Sequence, residues 1–210
     1  MGDSIEKPGV LILVAGPSGS GKDTLISAAR RALAANSDFV FPSRIITRAD
    51  QTGEEHIHIW QRDFERFRSE ELFFLDWDAH GFSYGIAANV QDDLDAGRAV
   101  IFNVSRRMIP EARRKWCRTA VISVRAASGA LRSRLRARGR ESEAEIEARI
   151  RRAEDSACAI DGPVHDLDNS GSLDDAIAVF LEFLLWLREG VPAESMPAND
   201  LESAAALRLA

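Results

Sequence analysis

Cysteine is nearly absent: Cys117 and Cys158 are the two in 210 residues. They lie far apart without metal-ligand spacing, which excludes a disulfide framework and reads as two reduced thiols. No apolar stretch approaches the ~20 residues that span a bilayer. Met1 to Gly9 is polar rather than signal-like, so the expected setting is cytoplasmic, with no membrane partner. An excess of positive charge is also missing, since 27 Lys and Arg stand against 33 Asp and Glu, a net −6. That disfavours nonspecific nucleic-acid binding and leaves local arginine clusters free to hold small anions. There is no internal repeat. What the chain does have is apolar content, 45%, enough for one domain with a substantial core and too short a chain for a second full one.

The strongest local signal is Gly16-Pro17-Ser18-Gly19-Ser20-Gly21-Lys22-Asp23-Thr24, which follows the apolar run Val10 to Ala15 and opens a helical pattern. A buried strand, a glycine-rich turn and a helix aim backbone N–H groups and the positive helix end at one point, where a di- or triphosphate can sit. The glycines allow close approach to the anion, and Lys22 reaches the β- and γ-phosphates. Such loops usually end in Ser or Thr, whose hydroxyl binds magnesium. Here the position is Asp23, with Thr24 one residue later. A carboxylate is a hard-oxygen ligand and can serve magnesium directly or through water.

Periodicity then organises the chain. Thr24 to Ala35 predicts the helix carrying the loop, and Phe39 to Thr47 a short strand interrupted at Pro42. His56 to Ile59 predicts a strand with one apolar face, and Gln61 to Glu71 a charged helix. Leu72 to Leu75 and Phe82 to Ile86 predict paired strands joined through Trp77 to Gly81. Together these suggest a small inserted subdomain. Further central strands are expected at Ala99 to Val104 and Thr119 to Val124, with helices at Asn89 to Ala96 and Pro110 to Trp116. A long arginine-rich helix from about Leu131 to Ala153 reads as a solvated, mobile lid. Val164 to Leu167 is a short strand candidate, and Ser172 to Glu189 an amphipathic helix packed on the sheet. The expected division is a tail at 1–9, one domain at 10–189 and a flexible tail at 190–210.

Alternating strands and helices opened by a phosphate loop imply an α/β fold with a central parallel sheet and a ligand at its carboxyl edge. Arg44, Arg48, Asn103, Ser105 and Arg106 all fall at or just after predicted strand ends. Phosphoryl transfer asks the protein chiefly for positioning and positive charge, so these residues are candidates for clamping phosphates. His56 and His58 share a strand face but lack a third ligand at metal spacing, and they read as lining or rimming the acceptor pocket.

At these residues the chain resembles the guanylate-kinase-like group of P-loop kinases, and within it more closely the ribose 1,5-bisphosphate phosphokinases of phosphonate catabolism. The resemblance rests on the loop Gly16 to Thr24, Arg44-Ile45-Ile46-Thr47-Arg48, Gly53-Glu54-Glu55-His56-Ile57, Trp77 to Gly85 and Asn103-Val104-Ser105-Arg106. Arg138-Gly139-Arg140-Glu141 and Leu167 to Gly171 extend it. It covers about Val10 to Glu189. It implies a kinase using ATP and magnesium to convert ribose 1,5-bisphosphate into 5-phosphoribosyl 1-diphosphate, through an inserted acceptor subdomain and an arginine-rich lid.

By the same resemblance Gly16, Pro17, Ser18, Gly19, Ser20, Gly21, Lys22, Asp23 and Thr24 hold ATP, with Asp23 and Thr24 at the metal. Arg138 and Asn169 join them, Asn169 at the adenine. Arg44, Thr47, Arg48, His56, Tyr84, Asn103, Ser105, Arg106 and Arg140 form the acceptor site. Lys22, Arg48, Arg138 and Arg149 are the expected catalytic cations. Guanylate kinases grip guanine with polar residues where this chain has His56, Ile86 and Asn103-Val104-Ser105, a departure that argues against GMP. A guanylate kinase with unusual base contacts is the nearest alternative, and a kinase-dead binding module a rival of another class. A homodimer is left open.

Overall fold

The structure, a computed structural model, describes residues 8–49, 56–139, 142–155 and 162–190. Of the tails expected at 1–9 and 190–210, residues 1–7 and 191–210 lie outside the described residues, as do Gly53 to Glu55, Arg140, Glu141 and Cys158. Cys117 is an exposed free thiol.

Five parallel strands form the central sheet in the order β2 (Phe39–Val40), β7 (Ala99–Asn103), β1 (Val10–Ala15), β8 (Thr119–Arg125) and β9 (His165–Asp168). β1 sits in the middle with all six residues buried, as expected for a strand covered on both faces. Even positions Val10, Ile12 and Val14 pack with α1 (Lys22–Ala32) and α7 (Leu173–Glu189) through Leu25, Phe180 and Leu184. Odd positions Leu11 and Leu13 face the other layer, with Val100, Phe102 and Ile109. On that side lie α3 (Val90–Asp95) and α4 (Ile109–Lys115), the latter entered through a 3-10 turn at Arg106–Met108.

A second sheet runs β4 (His56–His58), β3 (Arg44–Ile46), β6 (Phe82–Ala87) and β5 (Phe73–Ala79), flanked by α2 (Gln61–Ser69). The single strand expected over Phe39 to Thr47 is therefore two. It breaks at Pro42, which has no N–H for a ladder, and its halves join different sheets. β5 also runs on through Trp77 to Ala79, the stretch expected as a connection. The turn is only His80-Gly81, at φ 53° and 79°, whose handedness matches the strand twist. In β4 the expected apolar face is reversed: His56 is 6% exposed and Ile57 52%.

The arginine-rich segment is not one helix. Gly139 takes φ 67° and ends α5 (Ser128–Arg138), and α6 (Glu143–Asp155) starts afresh beyond it, the usual use of a left-handed glycine at a helix end. Leu135, Ile146 and Ile150 then form a small apolar cluster between the two helices. Arg136 pairs with Glu143 at 2.8 Å, and Arg132 with Glu147. The segment expected as a solvated lid thus has a small core of its own.

His165 on β9 supplies a pH prediction. It is buried against Phe183 and edge-on to Trp186 at 5.3 Å, and burial pushes its imidazole below the ordinary value. A depressed folded pKa means the unfolded chain takes up the proton first. The stability is intact above the unfolded value near ~6.5 and is lost as pH falls through the folded one. The melting temperature should fall between about pH 7.5 and pH 5, and less steeply in His165→Phe. Equal slopes in parent and variant would rule the imidazole out as the cause.

Candidate active site

The phosphate loop leaves β1 at the carboxyl edge of the sheet and enters α1 at Lys22. Gly21 is its N-cap at φ 92°, with no side-chain cap, so the first-turn N–H groups of α1 rely on a partner from outside the helix. A Cβ on Gly21 would lie 2.3 Å from Nδ2 of Asn169, so the position admits no side chain. Asn169 is 1% exposed, and its Nδ2 donates to the Ser20 carbonyl at 2.7 Å. Its Oδ1 lies 3.4 Å from Nη2 of Arg134. Fully buried Ser20 leaves its hydroxyl orphaned inside the loop, without a hydrogen-bond partner. Lys22 Nζ donates across the loop to the Pro17 carbonyl at 2.8 Å.

Asp23 stands one residue into the helix. Asn103, at the end of β7, donates Nδ2–H to its Oδ1 at 2.5 Å, and Nη2 of Arg44 is 3.5 Å from the same oxygen. Two separate strand ends therefore fix the carboxylate beside the phosphate loop, while Thr24 is exposed. No trio of His, Cys, Asp or Glu able to hold a metal occurs among the described residues. The donor set nevertheless suits magnesium, which is commonly held by one or two carboxylates, nucleotide phosphates and water.

The second sheet positions the acceptor candidates. The Arg44 guanidinium is 5.9 Å from the ring centroid of Tyr84, which stacks on Trp77 at 5.4 Å. Thr47 extends the β3–β6 pairing: its N–H donates to the Ser83 carbonyl, and its Oγ1 accepts from the Ser83 N–H at 2.9 Å. Ser83 in turn donates its hydroxyl to Asp78, which holds that carboxyl below its ordinary pKa. His56 donates Nε2–H to the Arg48 carbonyl at 2.8 Å, so it orients the backbone bearing Arg48. The Ser105 carbonyl accepts from Met108 N–H and opens the 3-10 turn that carries half-exposed Arg106.

Of the predicted lid arginines, Arg138 ends α5 and Arg149 lies within α6; Arg140 is outside the described residues. Two arginines that sequence reasoning did not assign to the site belong beside it. Arg134, read there as part of a solvated helix face, reaches Asn169 and keeps a buried Nη1 without a partner. Arg30, on the helix expected over Thr24 to Ala35, lines a cleft with Asp23 and Arg44. Its i+7 spacing from Asp23 was the available signal, since it puts both on one face of α1.

A phosphate loop between a central parallel strand and its helix, a second sheet beside it and an arginine-bearing helical pair define a P-loop kinase. Residues 12–156 match the AAA domain family. Guanylate kinase from Anaplasma phagocytophilum shares the fold, with a TM-score of 0.60 over 91% of this chain and 89% of that one at 17% identity. Among curated relatives, ribose 1,5-bisphosphate phosphokinase PhnN of Acidiphilium cryptum is 44% identical over 87% of this chain and 96% of its own length. Its namesake in Brucella melitensis biotype 2 is 41% identical over 84% and 92%. The chain belongs to the ribose 1,5-bisphosphate phosphokinase family.

Proposed function

We propose that the protein transfers the γ-phosphoryl group of ATP to the 1-phosphate of ribose 1,5-bisphosphate, giving 5-phosphoribosyl 1-diphosphate and ADP. The observation that carries this reading is the 44% identity along nearly the whole of a relative named for that acceptor. In the step, an oxygen of the C1 phosphate forms the new bond to the γ-phosphorus as the bond to the β-phosphate bridging oxygen breaks, and ADP leaves with that electron pair. The acceptor is already ionised, so no strong general base is needed and alignment and charge neutralisation carry the rate.

Each residue has a role in that account. Lys22 moves from the Pro17 carbonyl to the transferring phosphate, and the loop from Gly16 to Thr24 binds the nucleotide phosphates. Asn169, braced on the loop, and Arg134 support the nucleotide side. Asp23 with Thr24 would hold magnesium, which when bound neutralises phosphate charge and orients the oxygens. Arg44 and Arg48 grip the acceptor, with Thr47, His56 and Tyr84 fixing their placement and Asn103, Ser105 and Arg106 lining the far wall. Arg138, Arg140 and Arg149 supply the remaining cations for the phosphates, as the family resemblance implies.

A guanine-reading pocket finds less support. Ile86 is fully buried and apolar, His56 is engaged with the Arg48 carbonyl, and Asn103 is turned to Asp23. A buried guanine edge without partners costs several kcal/mol. A binding module that had lost catalysis would have no physical need for Lys22 within an intact phosphate loop. Specificity constants for the two acceptors test the reading: ribose 1,5-bisphosphate should exceed GMP by at least about a hundredfold. Comparable constants would return the assignment to guanylate kinase.

A further inference from the structure

Asn169 directly follows β9, and its polar groups are engaged within the protein. Its backbone N–H donates to the Arg125 carbonyl at 2.8 Å, its Nδ2 donates to the Ser20 carbonyl at 2.7 Å, and its Oδ1 accepts from Nη2 of Arg134 at 3.4 Å. Only 1% of the residue is exposed. A side chain tied down at both ends, with a backbone anchor behind it, has no open face to offer a nucleotide base. The same amide meets the phosphate loop where the chain is least constrained. Gly21 stands there at φ 92°, and a Cβ on it would collide with Nδ2 of Asn169.

A trans peptide places its C=O and its N–H on opposite sides of one plane, and the Ser20–Gly21 peptide is trans. Turning the Ser20 carbonyl toward Asn169 therefore turns the Gly21 N–H away from it. That N–H donates to no group among the described residues, and neither does the Ser20 hydroxyl buried inside the loop. Unmatched donors on successive residues of a glycine-rich loop suit an anion. Without a lock this peptide is free to turn over, because the glycine after it tolerates either sign of φ.

Resting on the reading of this loop as the nucleotide phosphate site, we propose that Asn169 is a positioning residue for the phosphates of ATP and does not read adenine. By holding the Ser20 carbonyl it locks the Ser20–Gly21 peptide in the sense that presents the Gly21 N–H to a phosphate oxygen. Arg134, on α5, is a secondary contact that reaches the other end of the same amide. The role requires phosphates and no base. Nucleotide donors of different bases should then depend on Asn169 alike.

Asn169→Leu keeps the size of the side chain and removes the donor to Ser20. Calorimetry compares it with the parent on magnesium tripolyphosphate, which carries no base, and on ATP and GTP with magnesium. Binding of all three should weaken by similar factors of about ten or more, while ribose 1,5-bisphosphate binds as it does to the parent. The loss should persist when Arg134→Met is already present, because the amide acts through Ser20. With glycine isotopically labelled, the Gly21 amide proton of the parent should move downfield when tripolyphosphate is added, a readout that needs no variant. The proposal is overturned by a loss confined to ATP, by an equal loss for ribose 1,5-bisphosphate as a merely structural role would give, by a loss that vanishes beside Arg134→Met, or by a Gly21 amide that does not respond. A parent that binds neither ATP nor tripolyphosphate overturns the reading of the loop itself. Tripolyphosphate binding that is the same in parent and Asn169→Leu leaves that reading standing and removes only the role of Asn169.

Discussion

Lys22→Ala will lower phosphoryl transfer by about a thousandfold while leaving the fold nearly untouched. The reason is the difference between what Lys22 does at rest and what transfer requires of it. In the structure its ammonium donates to the Pro17 carbonyl, a hydrogen bond of the kind worth about 1 kcal/mol net. During transfer the same ammonium sits on the charge that develops across the β- and γ-phosphates, in a site where removal of one fixed donor costs about 10²–10³ in rate. Melting and turnover should therefore separate. A variant that melts like the parent and keeps more than about a tenth of its turnover would remove Lys22 from the catalytic role.

Asp23→Ala is the second large effect, and it should appear in the metal dependence. Two strand ends converge on this carboxylate: Asn103 donates to it at 2.5 Å, and Arg44 approaches to 3.5 Å. Groups that orient a metal-binding carboxylate typically matter by 10–100-fold in affinity, and the carboxylate itself by at least as much. The magnesium concentration for half-maximal rate should rise about tenfold or more. Turnover at saturating magnesium should also fall, because Arg44 and Asn103 lose the group that aligns them. An unchanged magnesium dependence would make Asp23 a purely structural partner of Arg44.

The sequence made the phosphate half of the site readable and left the acceptor half less so. The strand Val10 to Ala15, its loop and α1 are contiguous, and each is specified by local chemistry: an unbroken apolar run, glycines and a 3.6-residue period. α7, β7 and β8 were legible for the same reason. Phe39 to Thr47 was not, because periodicity cannot say which partner a strand chooses, and the halves on either side of Pro42 go to different sheets. The reversal of His56 and Ile57 has a similar origin. The imidazole is buried because it has the Arg48 carbonyl to bond, a partner eight residues away that no hydropathy pattern announces.

Arg30 and Arg134 were missed through the same blindness. On a helix, arginines at charged positions usually belong to a solvated face. Only the approach of the β2–β3 segment to α1, and of Asn169 to Gly21, turns these two toward a cleft and a loop. Gly139 belongs to the Arg138-Gly139-Arg140-Glu141 motif, yet its effect on the helix depends on φ. Its left-handed conformation ends α5 and lets α6 fold back over Leu135.

The bond that is made defines the reaction proposed for this protein. Phosphorus NMR of the purified protein with ATP, magnesium and ribose 1,5-bisphosphate should show the C1 phosphate signal replaced by a coupled pair from a diphosphate ester, in step with ADP, while the C5 phosphate stays a monoester. GMP in its place should react at least about a hundredfold more slowly at equal, sub-saturating concentration. Appearance of GDP at a comparable rate, or a C1 phosphate that persists as ATP is consumed, would contradict it.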